Sequence, residues 1–224
     1  YITINSTSTE PVGQITGIYA DNPLNPSYNG YLNGTGNIEI TVAGSSIDSS
    51  TGNDYALTIY GIAGSVNNGS INGTGEIKIT DKGNNNVTGI FGGGNFSNSS
   101  ITINSNADKD KKVIGMTNIK PLSNSITEET ATAEATDNVN QNYGKIDITA
   151  TGSGTAYGML TRGVEAINGE DGNITIYRDW RNPDDSSLGS KTYGMANLTS
   201  GNLINKGKIE LVFEAKPNLN QRDV

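Results

Sequence analysis

The chain has 224 residues, a formal net charge of −8, and neither cysteine nor histidine. These numbers exclude nucleic-acid binding, which needs a basic stripe, and any disulfide, thiolate or imidazole centre. With 33% hydrophobic residues and 29 glycines, the chain is also too polar for an ordinary α/β domain, where roughly 45–50% of residues are apolar.

The apolar residues nevertheless fall in short Ile-rich clusters, and this regularity separates the chain from disordered sequences. Tyr1-Ile-Thr-Ile opens with the alternation of a half-buried strand. A different phrase follows, "ITGI" at 15–18, and then a long linker at 19–36. The next strand, Ile38/Ile40, closes the segment "NGYLNGTGNIEIT" at 29–41. After a second linker at 41–56 comes "IYGI" at 59–62, and then "NGSINGTGEIKIT" at 68–80, which carries Ile77/Ile79. Nine of its thirteen positions repeat the earlier segment.

The two phrases go on alternating. "VTGI" at 87–90 precedes Ile101/Ile103; "VIGM" at 113–116 and a linker at 117–144 precede Ile146/Ile148. "AYGM" at 156–159 precedes Ile174/Ile176, and a linker at 177–191 leads to "TYGM" at 192–195 and Ile209/Leu211. Glycines 61, 89, 115, 158 and 194 share one slot of the second phrase. All three methionines, Met116, Met159 and Met195, share the next, where the other copies hold Ile18, Ile62 and Ile90.

The Ile-x-Ile strands recur at intervals of 36, 39, 24, 45, 28 and 35 residues. Constant strands with stretching linkers are expected of a solenoid, in which each turn adds a rung and the connections vary freely. One rung cannot bury its isoleucine pair alone, but stacking on the next rung does. The predicted ladder is therefore Ile38, Ile40, Ile77, Ile79, Ile101, Ile103, Ile146, Ile148, Ile174 and Ile176, with Gly61, Gly89, Gly115, Gly158 and Gly194 at bends. The Asn-Gly pairs are expected to form corners, since both residues accept positive φ. Glu39 and Lys78 fall at equivalent outward places on neighbouring rungs, where opposite charges mildly stabilise a sheet.

Repeated N-x-G-x-I-x-I-T rungs alternating with Y-G-(I/M) resemble the passenger regions of bacterial autotransporters. The likeness covers essentially all 224 residues as a style of repeat. It implies an all-β fold: a right-handed parallel β-helix, or β-solenoid, of about six to seven coils, forming one domain over 1–224. It also implies an extracellular, bacterial cell-surface location, with a parent chain anchored in the outer membrane by a separate domain. Nothing like a leader precedes Tyr1, so a mature or interior portion of a longer solenoid is expected.

On such a scaffold the linkers carry function. The segment at 177–191 holds the one tryptophan, Trp180, among Arg178, Asp179, Arg181, Asp184 and Asp185. An exposed Trp beside charges suits a sugar ring or a protein partner; the plainer alternative folds it down onto the rungs. Asp184 and Asp185 do not suit a glycosidase pair, because its two carboxylates sit about 5–9 Å apart across a bond. In the linker at 117–144, Ser125 and Glu128 have the spacing of a helix capping box. No calcium-loop pattern occurs, and neither cofactor nor metal is expected. Asn173, between Asp171 and Thr175, matches an acidic extended glycosylation sequon.

Three functions remain open at this level. The first is a non-enzymatic adhesin or spacer that contacts a host or neighbouring-cell glycan or protein through its loops. The second is a filament subunit associating end to end through open solenoid ends. The third, a polysaccharide-cleaving β-helix enzyme, lacks a charged row on one sheet face.

Overall fold

The computed structural model describes residues 1–7, 13–20, 32–34, 36–44, 46–47, 54–55, 57–64, 70–73, 75–92, 94–108, 111–119, 140–179 and 191–214. Among them the chain is all-β, without a helix. Its strands run in three parallel ladders, joined by one small antiparallel pair.

The first ladder is the predicted Ile-x-Ile series. It comprises β1 (Ile2–Ser6), β4 (Ile38–Val42), β9 (Glu76–Asp81), β11 (Gly94–Ser105), β13 (Asn140–Ala150), β16 (Asn173–Asp179) and β19 (Lys208–Glu214). Each pairs in parallel with the next, and the register aligns Ile2, Ile38, Ile77, Ile101, Ile146, Ile174 and Ile209 in one column. Ile4, Ile40, Ile79, Ile103, Ile148, Ile176 and Leu211 form a second. The ten predicted isoleucines are all buried.

The second ladder contains the glycine phrase: β2 (Gln14–Ala20), β7 (Thr58–Gly64), β10 (Asn86–Phe91), β12 (Lys112–Ile119), β14 (Thr155–Arg162) and β17 (Thr192–Asn197). Its register joins Ile18, Ile62, Ile90, Met116, Met159 and Met195, so the isoleucine and methionine copies occupy one structural slot. The third ladder was not anticipated. It consists of β3 (Leu32–Gly34), β8 (Ser70–Gly73), β15 (Ala166–Asn168), β18 (Leu203–Asn205) and the leading halves of β11 and β13. The antiparallel pair is β5 (Ser46–Ile47) with β6 (Asp54–Tyr55).

The first and third ladders make one sheet and the second ladder makes the other. Residues of both sheets enter one continuous apolar cluster, as two layers around a shared core require. This is the arrangement of a parallel β-solenoid.

The two sequence phrases are coupled where the sheets meet. A Cβ on Gly115 would lie 2.4 Å from Cγ2 of Ile146 and 2.5 Å from the Gly158 carbonyl oxygen. Gly61 stands in the same relation to Ile77 and Gly89, Gly89 to Ile101 and Gly115, and Gly158 to Ile174 and Gly194. Gly194 likewise faces Ile209. The glycine therefore makes room for the isoleucine that follows it in sequence. Both are needed once per repeat because the sheets touch there.

Two expectations need correction. Asn33-Gly34 and Asn72-Gly73 are not corners: they lie in β3 and β8, paired Asn33 to Asn72 and Gly34 to Gly73. Left-handed backbone is found instead at Gly92 (φ 109°), Gly163 (φ 73°) and Gly201 (φ 140°), each in the connection leaving the second ladder. Short polar strands resemble turns in sequence because they lack the Ile-x-Ile alternation. The predicted linkers are also shorter than expected. Tyr19–Ala20, Thr41–Val42, Thr117–Ile119, Asn140–Gly144 and Tyr177–Asp179 are strand, and β3, β5 and β6 occupy parts of the first two linkers. The Ser125–Glu128 capping box lies outside the described residues.

Candidate functional site

The Trp180 segment begins where β16 ends. Strand β16 alternates Ile174, Ile176 and Arg178 toward the core, so Arg178 is 5% exposed and not part of a surface loop. Period-2 alternation runs one step further than the apolar residues reveal. The Arg178 Nη2 donates to the Gly154 carbonyl at 2.9 Å. Burial lowers the pKa of its guanidinium from the usual value. Asp179 pairs through its backbone with Glu214 on β19. Trp180, Arg181, Asp184 and Asp185 lie outside the described residues.

Arg178 shares an inward column with Val42, Asp81, Ser105 and Ala150. Asp81 is 3% exposed. Its Oδ1 accepts from the Gly83 N–H at 3.0 Å and from Asn85 Nδ2 at 2.7 Å, and its Oδ2 accepts from Ser105 Oγ at 3.1 Å. Asn85 Nδ2 also reaches the Gly44 carbonyl oxygen at 3.0 Å, which ties the corner to the preceding rung. Desolvation raises the Asp81 pKa, and the hydrogen bonds from Asn85, Ser105 and Gly83 offset part of that rise.

A second polar column runs through the third ladder. Asn142 Nδ2 donates to Asn168 Oδ1 at 2.8 Å, and Asn168 Nδ2 donates to Asn205 Oδ1 at 2.8 Å. The Gly144 N–H closes the string by donating to Asn142 Oδ1 at 3.1 Å. Asn142 and Asn168 are fully buried, and each amide gives its donor to one neighbour and its acceptor to another.

The outward face of the first ladder carries two columns. One reads Thr3, Glu39, Lys78, Thr102, Asp147, Thr175 and Glu210, in the order expected from the sequence. Lys78 Nζ lies 3.1 Å from Glu39 Oε1, the neighbouring-rung pair that the repeat alignment requires. The Tyr1 hydroxyl donates to Glu39 Oε2 at 2.7 Å, and together with Lys78 it lowers that carboxyl's pKa. The other column reads Asn5, Thr41, Thr80, Asn104, Thr149 and Tyr177. Its middle rungs border an open groove of about 300 Å³.

The outer face of the second sheet carries two aromatic pairs. Tyr157 and Tyr193, paired on adjacent strands, stack with centroids 5.2 Å apart and planes 10° apart. Tyr60 meets Phe91 edge-on at 5.5 Å. Ile114, Tyr157 and Leu160 form a small second apolar cluster there.

The sequence reading missed the Asn142–Asn168–Asn205 string, the buried Asp81 and the groove. A signal for the first was present: an asparagine stands four, six and four residues before Ile146, Ile174 and Ile209. No group of three or more His, Cys, Asp or Glu residues suited to a metal occurs among the described residues. No family model, curated protein or solved structure matches the chain.

Proposed function

We propose that the chain is a non-enzymatic binding or spacer module of an extracellular bacterial surface protein. In this reading it forms a right-handed parallel β-helix of six to seven coils, in the style of autotransporter passengers. The stacked rungs act as a stiff stalk, and the connecting segments make the contacts. The observation that carries this reading is where length varies. The longest stretches of sequence between successive strands of the ladders are 21–31 and 120–139, after β2 and β12, and 43–57 and 180–191, after β4 and β16. The ladder register on either side of each is unchanged. A scaffold that holds its register across connections of such different length suits the display of variable contacts.

The test replaces residues 180–189 with a short Gly/Ser linker. Binding to host cells, matrix or neighbouring bacteria is expected to disappear while the melting temperature stays unchanged. Binding that survives this replacement removes the role of the Trp180 segment. Release of reducing ends from any polysaccharide overturns the non-enzymatic reading.

A second reading is a filament subunit associating end to end, which would use the strand edges of the stack. Negative-stain microscopy with a solution mass separates the readings: uniform fibres favour the filament, single short rods the stalk.

A further inference from the structure

We propose that the groove beside the first ladder is a binding site for a neutral, hydroxyl-rich oligosaccharide chain. Three successive rungs build it, each offering two side chains at i and i+2: Thr80 and Lys82, Asn104 and Asn106, Thr149 and Thr151. The second member of each pair follows the end of its strand, where backbone bonds still hold the rungs together. The Asn106 N–H donates to the Asp81 carbonyl at 3.1 Å, and the Thr151 N–H to the Ser105 carbonyl at 3.0 Å. Adjacent rungs are spaced by about 4.8 Å, so the three span roughly 10 Å along the stack axis. That length and the 300 Å³ volume match about two linked sugar rings lying across the strands.

The chemistry of the lining selects the ligand class. Threonine hydroxyls donate and accept, and asparagine amides do both through separate atoms, as recognition of sugar hydroxyls requires. Thr151 Oγ1 already donates to Asn106 Oδ1 at 3.2 Å, which orients that amide across the groove. Beneath the groove the Asp81 carboxylate accepts hydrogen bonds on both oxygens from within the chain, so it is structural and not a cation ligand. Among the described residues Lys82 is the one cationic lining residue, and a protein of net charge −8 repels polyanionic glycans at long range.

This inference rests on the binding-module reading and adds to it a ligand class and a set of side chains other than those of the Trp180 segment. The experiment titrates the 224-residue protein with neutral cello-, malto- and xylo-oligosaccharides of two to six sugars, followed by calorimetry and amide chemical shifts. Oligogalacturonate and heparin serve as charged comparators. The expected result is binding of at least one neutral series, with shifts centred on Asn104, Asn106, Thr149 and Thr151. Asn104→Ala and Thr149→Val should each weaken it by about tenfold or more. Should Asn104→Ala misfold, the near-isosteric Thr149→Val carries the comparison. Three results overturn the proposal: no neutral series binds tighter than about 10 mM, only the charged glycans bind, or the substitutions change nothing. If the groove fails while replacement of 180–189 still abolishes cell binding, the module reading stands without this inference. If neither segment binds anything, both fall.

Discussion

Strand β13 contains two kinds of interior on one backbone. Its trailing half presents Ile146 and Ile148 to an aliphatic core, and its leading half presents Asn142 to a string of amides. Both halves are inward-facing and buried, and both repeat on the following rungs. The aliphatic half is held by contact with the opposite sheet, so volume and the absence of charge decide what fits. The amide half is held along the stack, where each side chain must donate to one rung and accept from another. A substitution in the first half acts through the volume it adds to or removes from a core shared by neighbouring rungs, and one in the second half acts through the hydrogen bonds that join three rungs.

The sharpest way to break the aliphatic half is Ile77→Asp. It places an unpaired carboxylate where the native side chain is 5% exposed and packs against the Gly61 position. The expected cost is about 4 kcal/mol or more, read as loss of the cooperative transition in urea or thermal melts. An unchanged midpoint would show that the rung register is wrong. Gly115→Ala comes next. Its Cβ meets both Ile146 Cγ2 and the Gly158 carbonyl, and backbone cannot rotate away as a side chain can. We expect about 3 kcal/mol, the upper part of the range for overpacked cores. Adding Ile146→Ala removes one of the two clashes and should make the double mutant less unstable than the sum of the singles.

In the amide half, Asn168→Ala removes a donor and an acceptor at once. It strands Asn142 Nδ2 in a fully buried place and frees Asn205 Oδ1. About 2 kcal/mol is expected, as for buried groups left without partners. Amide hydrogen exchange adds the discriminating readout: protection should fall in β13, β15 and β18 together. Loss confined to β15 would mean that the string contributes no coupling between rungs.

How far the sequence discloses this molecule follows the same division. Ile-x-Ile alternation and the Gly-(Ile/Met) slot are legible because an aliphatic column tolerates few residue types, so the repeat survives variable linkers. Even the Glu39–Lys78 pair follows from aligning two phrases. The third ladder is hidden because its strands are short and polar, and "NGTG" satisfies turn chemistry as well as it satisfies strand pairing. Arg178 and Asp81 are misleading for a related reason. Charged residues at the end of an alternating run look like the start of a loop, yet the pleat carries them inward. The groove is not legible at all from one phrase, since it exists only where three rungs from distant sequence lie side by side.

Asp81 gives the comparison a pH dependence. Its folded pKa is raised above the usual carboxylate value, chiefly by burial. A carboxyl of this kind favours the folded state in its neutral form. Its contribution is therefore fullest below the ordinary carboxylate range and declines as pH rises through the raised folded value. Asp81→Asn keeps hydrogen-bonding capacity and cannot ionise. Difference melts of wild type and variant should show the wild type losing stability relative to Asp81→Asn over that window. Parallel profiles at all pH values would mean that the Asn85, Ser105 and Gly83 bonds fully compensate the buried charge.

The smallest effect is expected where the sequence itself has already varied. Met159 lies between Met116 and Met195 in a column whose other members are Ile18, Ile62 and Ile90. All share one slot against the same core, and Met116 and Met159 are fully buried. Met159→Ile exchanges two side chains of similar volume that the column accepts elsewhere, so a cost below about 1.5 kcal/mol is expected. The β-branch also restricts χ1, which suits a strand and limits the loss. If this exchange instead proved as damaging as Gly115→Ala, the six copies would not be equivalent. The aliphatic half would then be specified rung by rung, as the amide string is.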